Sequence, residues 1–198
     1  MFRQEQKTDK ATAKANLSLC DFVPTESSGK KGNFGMFAIS VSRDTHTRTT
    51  NTCSCCGQPY ISTGHTGPSD MDYQDMVRRA VRLTLAEAAS VWLDRHLEEY
   101  LPGNMKIVKP AAGYASCPDH TLKRDILELL PDSDRLGIRL TESCAMIPDA
   151  SICGLIFAHP DATYPEIRRI SRQQYEDYVR KRGMDQDTAR RFLSHLLD

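Results

Sequence analysis

The chain has 198 residues, with 26 lysines plus arginines balanced by 26 aspartates plus glutamates, so its formal net charge is zero. Balanced charge with a pI near 7.0 gives no electrostatic footprint for nucleic acid or an anionic membrane. No apolar run approaches the roughly 18 residues of a membrane span. The charged start, MFRQEQKTDKATAKAN, carries no apolar h-region of a secretory signal.

Seven cysteines is an odd number in a long chain. Without an export signal, this argues for reduced thiols in a cytoplasmic protein rather than a disulfide framework. The length suits one domain with a substantial core. Residues 1–198 are read as that single domain, with 43–70 as a loop insertion.

In chain order, residues 1–16 read as a polar, lysine-rich arm. Leu17–Pro24, LSLCDFVP, reads as a short strand stopped by proline. Thr25–Asn33 is a turn, and Phe34–Ser42, FGMFAISVS, a second strand, so the two predict a hairpin. Gly35 inside it marks a bulge or a close approach. Residues 43–70 are rich in Thr, Ser and Gly and contain His46, Cys53, Cys55, Cys56 and His65. Cys-x-Cys-Cys lacks the paired-ligand spacing of structural zinc sites, so loop thiols are the default reading and metal binding the alternative.

Met71–Leu101 has the longest helical periodicity, with Val77, Val81, Leu85, Ala88, Ala89, Trp92, Leu93 and Leu97 at three- and four-residue steps. Asp70 is the expected N-cap and Pro102-Gly103 the stop. Glu87 lies among apolar neighbours: either it is on the solvated side, or it directs a carboxylate into a ligand cleft.

Lys109–Thr121, KPAAGYASCPDHT, is the stretch around which the other elements are organised. A cation and a Pro-Ala-Ala-Gly run lead into a helix start, where Ser116 and Asp119 have capping-box spacing and Pro118 fits the first turn. A glycine loop entering a helix exposes backbone donors and admits a ligand close to the main chain; it also serves as an ordinary connection. A helix over Pro118–Leu130 follows, with Leu122, Ile126, Leu129 and Leu130 on one face.

Gly137–Ser143 reads as a half-buried strand and Ala150–His159 as a central one. Residues 146–150 join them, with a turn at Pro148-Asp149. Tyr164–Ile170 reads as an edge strand because Pro165 excludes a central position. Two helices close the chain. The first spans Arg172–Gly183, with Gly183 as its C-cap. The second is capped by Asp185 and turns Ala189, Phe192, Leu193, Leu196 and Leu197 inward. Cys117, Cys144 and Cys153 read as small core residues. His120 is placed to bond a loop carbonyl, and His159 to fix a turn. No Ser-His-Asp or metal-hydrolase constellation emerges.

Taken in series, FRQEQK, LCDFVP, FGMFAISV, LAEAAS, KPAAGYASCPDHT, LTESCAMIPDAS, GLIFAHPDATY and EDYVRKRGM resemble one family. It is the reactivation, S-adenosylmethionine-binding domain of cobalamin-dependent methionine synthase. The resemblance covers nearly all of the chain outside residues 43–70 and implies a C-shaped α+β domain with a twisted antiparallel sheet flanked by helices. It further implies binding of S-adenosylmethionine against a cobalamin-binding module. There, a flavodoxin-like reductant supplies an electron and S-adenosylmethionine the methyl group that restores methylcobalamin.

Residue by residue, the family's carboxylate-binding arginine corresponds to Lys109, which keeps the charge without the planar fork. Ala111 and Gly113 are implied to offer backbone groups and Tyr114 to sit on the corrin side. Glu87 matches the glutamate of the long helix. Tyr164 matches the first of an aromatic pair whose second position is here Pro165; an electron-rich ring suits a sulfonium. The matched sequence starts downstream of the family's Asp-Trp-Thr-Pro motif and contains no cobalamin-binding domain. The expectation is therefore a stand-alone subunit acting in trans on a partner that holds the cobalamin. The alternative is a docking protein for a corrinoid protein that no longer binds S-adenosylmethionine.

Overall fold

A computed structural model describes residues 17–29, 32–41, 50–52, 59–61 and 73–197. Leu17–Pro24 is not a strand: Leu19–Phe22 forms a 3-10 helix. Ser18 and Asp21 close a capping box, with the Ser18 N–H donating to Asp21 Oδ2 at 2.8 Å. These short polar side chains satisfy the backbone locally and so compete with a sheet ladder. The hairpin expected from the first two apolar runs is consequently replaced by a long-range pairing.

The regular elements are β1 (Asn33–Ser40), β2 (Thr50–Thr52), β3 (Pro59–Ile61), α1 (Tyr73–Glu98), β4 (Lys106–Val108), α2 (Leu122–Leu129), β5 (Arg139–Leu140), β6 (Met146–Ile147), β7 (Ser151–His159), α3 (Arg172–Arg182) and α4 (Gln186–Leu193). The central sheet has the order β1-β7-β4 and is antiparallel throughout. β7 is central, as its continuous apolar run requires. It pairs with β1 from Asn33–Ala158 to Ser40–Ser151 without a bulge, so Gly35 marks none.

β2 and β3 form a small ladder inside the expected insertion. His46, Cys53, Cys55, Cys56, His65 and the expected cap Asp70 lie outside the described residues. The strand expected at 137–143 shrinks to β5, which pairs with β6 in the segment read as a connection. Tyr164–Ile170 is not an edge strand. Its backbone donors go elsewhere, Ile167 N–H to Ala115 O at 2.9 Å and Ile170 N–H to Leu196 O at 2.8 Å.

Two apolar clusters hold the chain together. One lies against the sheet and joins Leu19 and Phe22 to Val108, Ile126, Leu155 and Phe157. The other joins Ile167 and Ile170 to Tyr178 and Val179 of α3 and to Phe192 and Leu193 of α4. The caps of these last helices match their sequence signals. Gly183 has φ 60°, and Asp185 accepts from the Thr188 N–H at 2.8 Å.

α1 departs most from its sequence pattern. Val77, Val81, Leu85, Ala88 and Trp92, expected inward, are exposed; among its described residues only Ala86 is buried. The helix rests on the sheet through Ala86 with half-buried Ala89, Leu93 and Leu97. Periodicity reveals apolar stripes but not which one is covered. Leu129 of α2 is likewise exposed.

Candidate functional site

The stretch 109–117 continues the β4 edge along β7 as irregular backbone. Ala111 bridges Gly154, Leu155 N–H donates to Pro110 O at 3.1 Å, and Ala112 N–H donates to Cys153 O at 3.1 Å. Contact is close because Gly154 has no side chain: a Cβ there would lie 2.4 Å from Pro110 O. The chain then reverses. Gly113 N–H donates to Cys117 O at 2.7 Å and Cys117 N–H to Tyr114 O at 2.8 Å, which leaves Tyr114 at the tip, 65% exposed.

Gly113 adopts φ 93°, where a side chain is strained, and a Cβ would meet the His120 ring at 2.4 Å. The glycine therefore accommodates an imidazole of the same loop. Lys123, itself buried, donates from Nζ to His120 Nδ1 at 3.1 Å and to Cys144 O at 2.9 Å. An ammonium cannot accept, so Nδ1 is the acceptor and the ring proton is on Nε2. Burial, followed by the Lys123 charge, holds the His120 pKa below that of a free imidazole. His120 thus pairs with a lysine rather than the carbonyl expected for it.

The expected Ser116–Asp119 capping box does not form. Asp119 is buried and accepts from Thr121 N–H at 2.8 Å and from Thr121 Oγ1 at 2.6 Å, a local turn that moves the start of α2 to Leu122. Its second oxygen accepts from the Tyr178 hydroxyl at 2.7 Å. Burial, then the Asp119 charge, raises the Tyr178 pKa well above the usual phenol range. Arg182 pairs with Asp125 at 2.6 Å and lies 3.8 Å from Asp119, which ties α3 to α2. Burial also pushes the Cys117 thiol up to about 12 and that of Cys153 to about 11. Neither supplies a thiolate near neutrality.

Lys109 turns beneath α1. Its Nζ lies 2.9 Å from Asp94 Oδ1, donates to Ser90 Oγ at 3.0 Å and to Ser90 O, and stands 5.4 Å from the centroid of the Phe37 ring. Its side chain is 4% exposed. Its backbone N–H donates to the Tyr164 hydroxyl at 2.8 Å. Tyr164, otherwise 57% exposed, is thus pinned by its oxygen beside the loop, with Pro165 following. Glu87 is exposed, three and seven residues before Ser90 and Asp94 on the same helix. At 3.6 residues per turn, these three share one side of α1.

The fold therefore gathers Lys109, Tyr164 and the Glu87 line of α1, with Ala111–Tyr114 as the adjoining loop. Sequence reasoning missed Ser90, Asp94 and Phe37. The four-residue spacing of Ser90 and Asp94 was the available signal, a polar line beside the apolar positions of α1. Among the described residues, no group of three or more His, Cys, Asp or Glu side chains is placed to hold a metal ion. No described helix is long and apolar enough to cross a membrane.

An antiparallel sheet flanked by helices, with an irregular Gly-containing loop that carries the exposed Tyr114, defines an α+β domain. Residues 1–183 match the vitamin B12 dependent methionine synthase activation domain, and the chain belongs to that family. It is also similar to a crystal structure of the MetH reactivation domain bound to AdoHcy, at 30% sequence identity and a TM-score of 0.75. That match covers 99% of this chain and 60% of the other, so this chain spans less than two thirds of the relative's length.

Proposed function

We propose that this domain binds S-adenosylmethionine and presents its methyl group to cobalamin held by another module of a cobalamin-dependent methionine synthase. The observation that carries the reading is the match, along nearly the whole chain, to a reactivation domain bound to AdoHcy. Tyr114 and Tyr164 offer exposed rings to a sulfonium, and Glu87 offers a carboxylate to the same cationic ligand. Ala111 and Gly113 shape the loop, with Tyr114 at its tip toward the corrin and Pro165 behind Tyr164. Cobalamin supplies the cobalt. One electron from a flavodoxin-like reductant plus the methyl group converts cob(II)alamin to methylcobalamin and leaves S-adenosylhomocysteine. The setting is the cytoplasm, and the cobalamin module acts on this domain as a docked partner.

One observation favours a second reading, a domain that docks on the corrinoid protein without binding the nucleoside. The Lys109 ammonium is engaged by Ser90 and Asp94, so the ligand carboxylate lacks that cation. Calorimetric titration with S-adenosylmethionine, alone and with a cobalamin-loaded partner module, separates the two. The first reading expects saturable binding, weakened about tenfold by Glu87→Ala and by Tyr164→Ala. Partner association without nucleoside binding selects the second.

A further inference from the structure

The turn that carries Tyr114 is anchored on both sides and projects between its anchors. On the entry side Ala111 and Ala112 are tied to β7, and on the exit side Pro118 and Asp119 are buried. Tyr114 and Ala115 between them are exposed. The turn is closed by the Gly113 and Cys117 backbone bonds and by Ala115 O, which accepts from Ile167 N–H. The side chain packed against its first residue is that of His120. A Cβ at Gly113 would lie 2.4 Å from His120 Cε1, 2.5 Å from Nδ1 and 3.0 Å from Nε2. The imidazole thus fills the space a side chain at 113 would take, and a shift of the ring toward the glycine meets the turn backbone.

Lys123 of α2 braces the ring from its other end. Its Nζ bridges His120 Nδ1 and Cys144 O, the latter at a fully buried residue with φ 57°. This brace suits one protonation state. The neutral ring offers Nδ1 as an acceptor, whereas the imidazolium carries an N–H on each nitrogen and offers none. Protonation therefore sets two donors and two positive charges 3.1 Å apart. Burial, then the Lys123 charge, disfavours the cation; Asp119 of the same loop opposes them, and His195 just after α4 adds to them. Asp119 is itself committed to Thr121 and Tyr178.

We propose that His120 is a positioning residue for Tyr114: the neutral ring, braced by Lys123, sets the 113–117 turn, and protonation of the ring releases it. Once the Nδ1 bond is lost, the ring leaves Gly113, and the turn keeps only its backbone bonds. For S-adenosylmethionine the consequence rests on the function proposed above, in which this loop adjoins the nucleoside. Affinity is then full above pH 6.5, the free-imidazole value, and falls in acid as the turn opens.

Amide hydrogen exchange by NMR on the full chain, from about pH 4.5 to 7.5 and in low urea, tests the coupling without ligand. Gly113 and Cys117 N–H report the turn, and Val179 and Leu193 N–H in α3 and α4 report global opening. Corrected for intrinsic rates, turn protection is expected to fall by up to about tenfold per pH unit below 6.5, one proton being linked. Its urea dependence is expected to be slight, as for a local opening, and that of Val179 and Leu193 steep. In His120→Asn the amide oxygen accepts from Lys123 but binds no proton, so turn protection stays level with pH. His120→Ala lowers it even at the upper pH.

Turn protection indifferent to pH, an equal fall in His120→Asn, or equal urea dependence of turn and helix amides overturns the positioning role. Calorimetric titration with S-adenosylmethionine at the two ends of the range then reads the consequence. The pH ratio of dissociation constants is expected to be larger in the parent than in His120→Asn, the ligand's own titration cancelling between them. Equal ratios overturn the link between turn and nucleoside. No binding at either pH refutes the nucleoside reading itself, while the exchange result decides the role of His120.

Discussion

The Lys109 ammonium lies 2.9 Å from Asp94, but the two ends of this pair are unequally solvated: the lysine side chain is 4% exposed and the aspartate 42%. Removing the carboxylate strands a buried cation with only Ser90 and the Phe37 ring beside it among the described residues, whereas removing the lysine leaves a carboxylate that water can reach. Asp94→Ala is therefore expected to cost about 2 kcal/mol and Lys109→Met about 1 kcal/mol. Urea unfolding at pH 7 checks the order, and a larger loss for Lys109→Met refutes the asymmetry.

Gly113 packs face to face with His120. Gly113→Ala brings both a positive-φ strain and a Cβ 2.4 Å from the ring, and is expected to destabilise by about 2–3 kcal/mol. Adding His120→Ala relieves the collision but not the φ strain. Gly113→Ala should thus cost less in the His120→Ala background than in the parent chain, as a double-mutant cycle measures. Full additivity would show that the ring is not the obstacle.

Tyr178→Phe deletes one donor to the buried Asp119 carboxylate while keeping the ring that packs among Ile167, Val179 and Phe192. A hydrogen bond to a charged group contributes about 1.5–3 kcal/mol, and a loss of that size is expected in chemical denaturation. An unchanged midpoint would mean that Arg182 and Thr121 alone satisfy Asp119.

The depressed pKa of His120 gives stability a pH dependence of known sign. In the fold the ring accepts from Lys123 and resists protonation, while in the unfolded chain it titrates near 6.5. The unfolded state therefore binds more protons below that value, and stability rises with pH. The contribution is complete above pH 6.5 and is lost as pH falls toward the folded pKa. His120→Gln is expected to flatten the urea midpoint between pH 5 and about 7 relative to the parent chain. Parallel curves for the two proteins would remove His120 as the cause.

Much of the fold was legible because its signals are local. The central strand at Ser151–His159 appeared as an unbroken apolar run. Gly183 and Asp185 marked the junction of α3 and α4 through backbone requirements set within three residues. Where two local signals competed, the shorter-range one prevailed: Ser18 and Asp21 turned an apolar run into a 3-10 helix, and Asp119 displaced the start of α2. Of the candidate site, the irregular course of the Lys109–Cys117 stretch was legible in its Pro-Ala-Ala-Gly run, but not the direction of Lys109. That direction depends on Ser90 and Asp94, 15 or more residues away.

Membership of the activation-domain family, the α+β class and the order of most elements were thus written in linear motifs, since caps, turns and periodicity act over a few residues. Packing alone assigned the rest. It chose which stripe of α1 meets the sheet and sent the Lys109 charge under a helix. Each of these depends on contacts between segments distant in the chain. Their free energy comes from burial and charge pairing that no single segment contains.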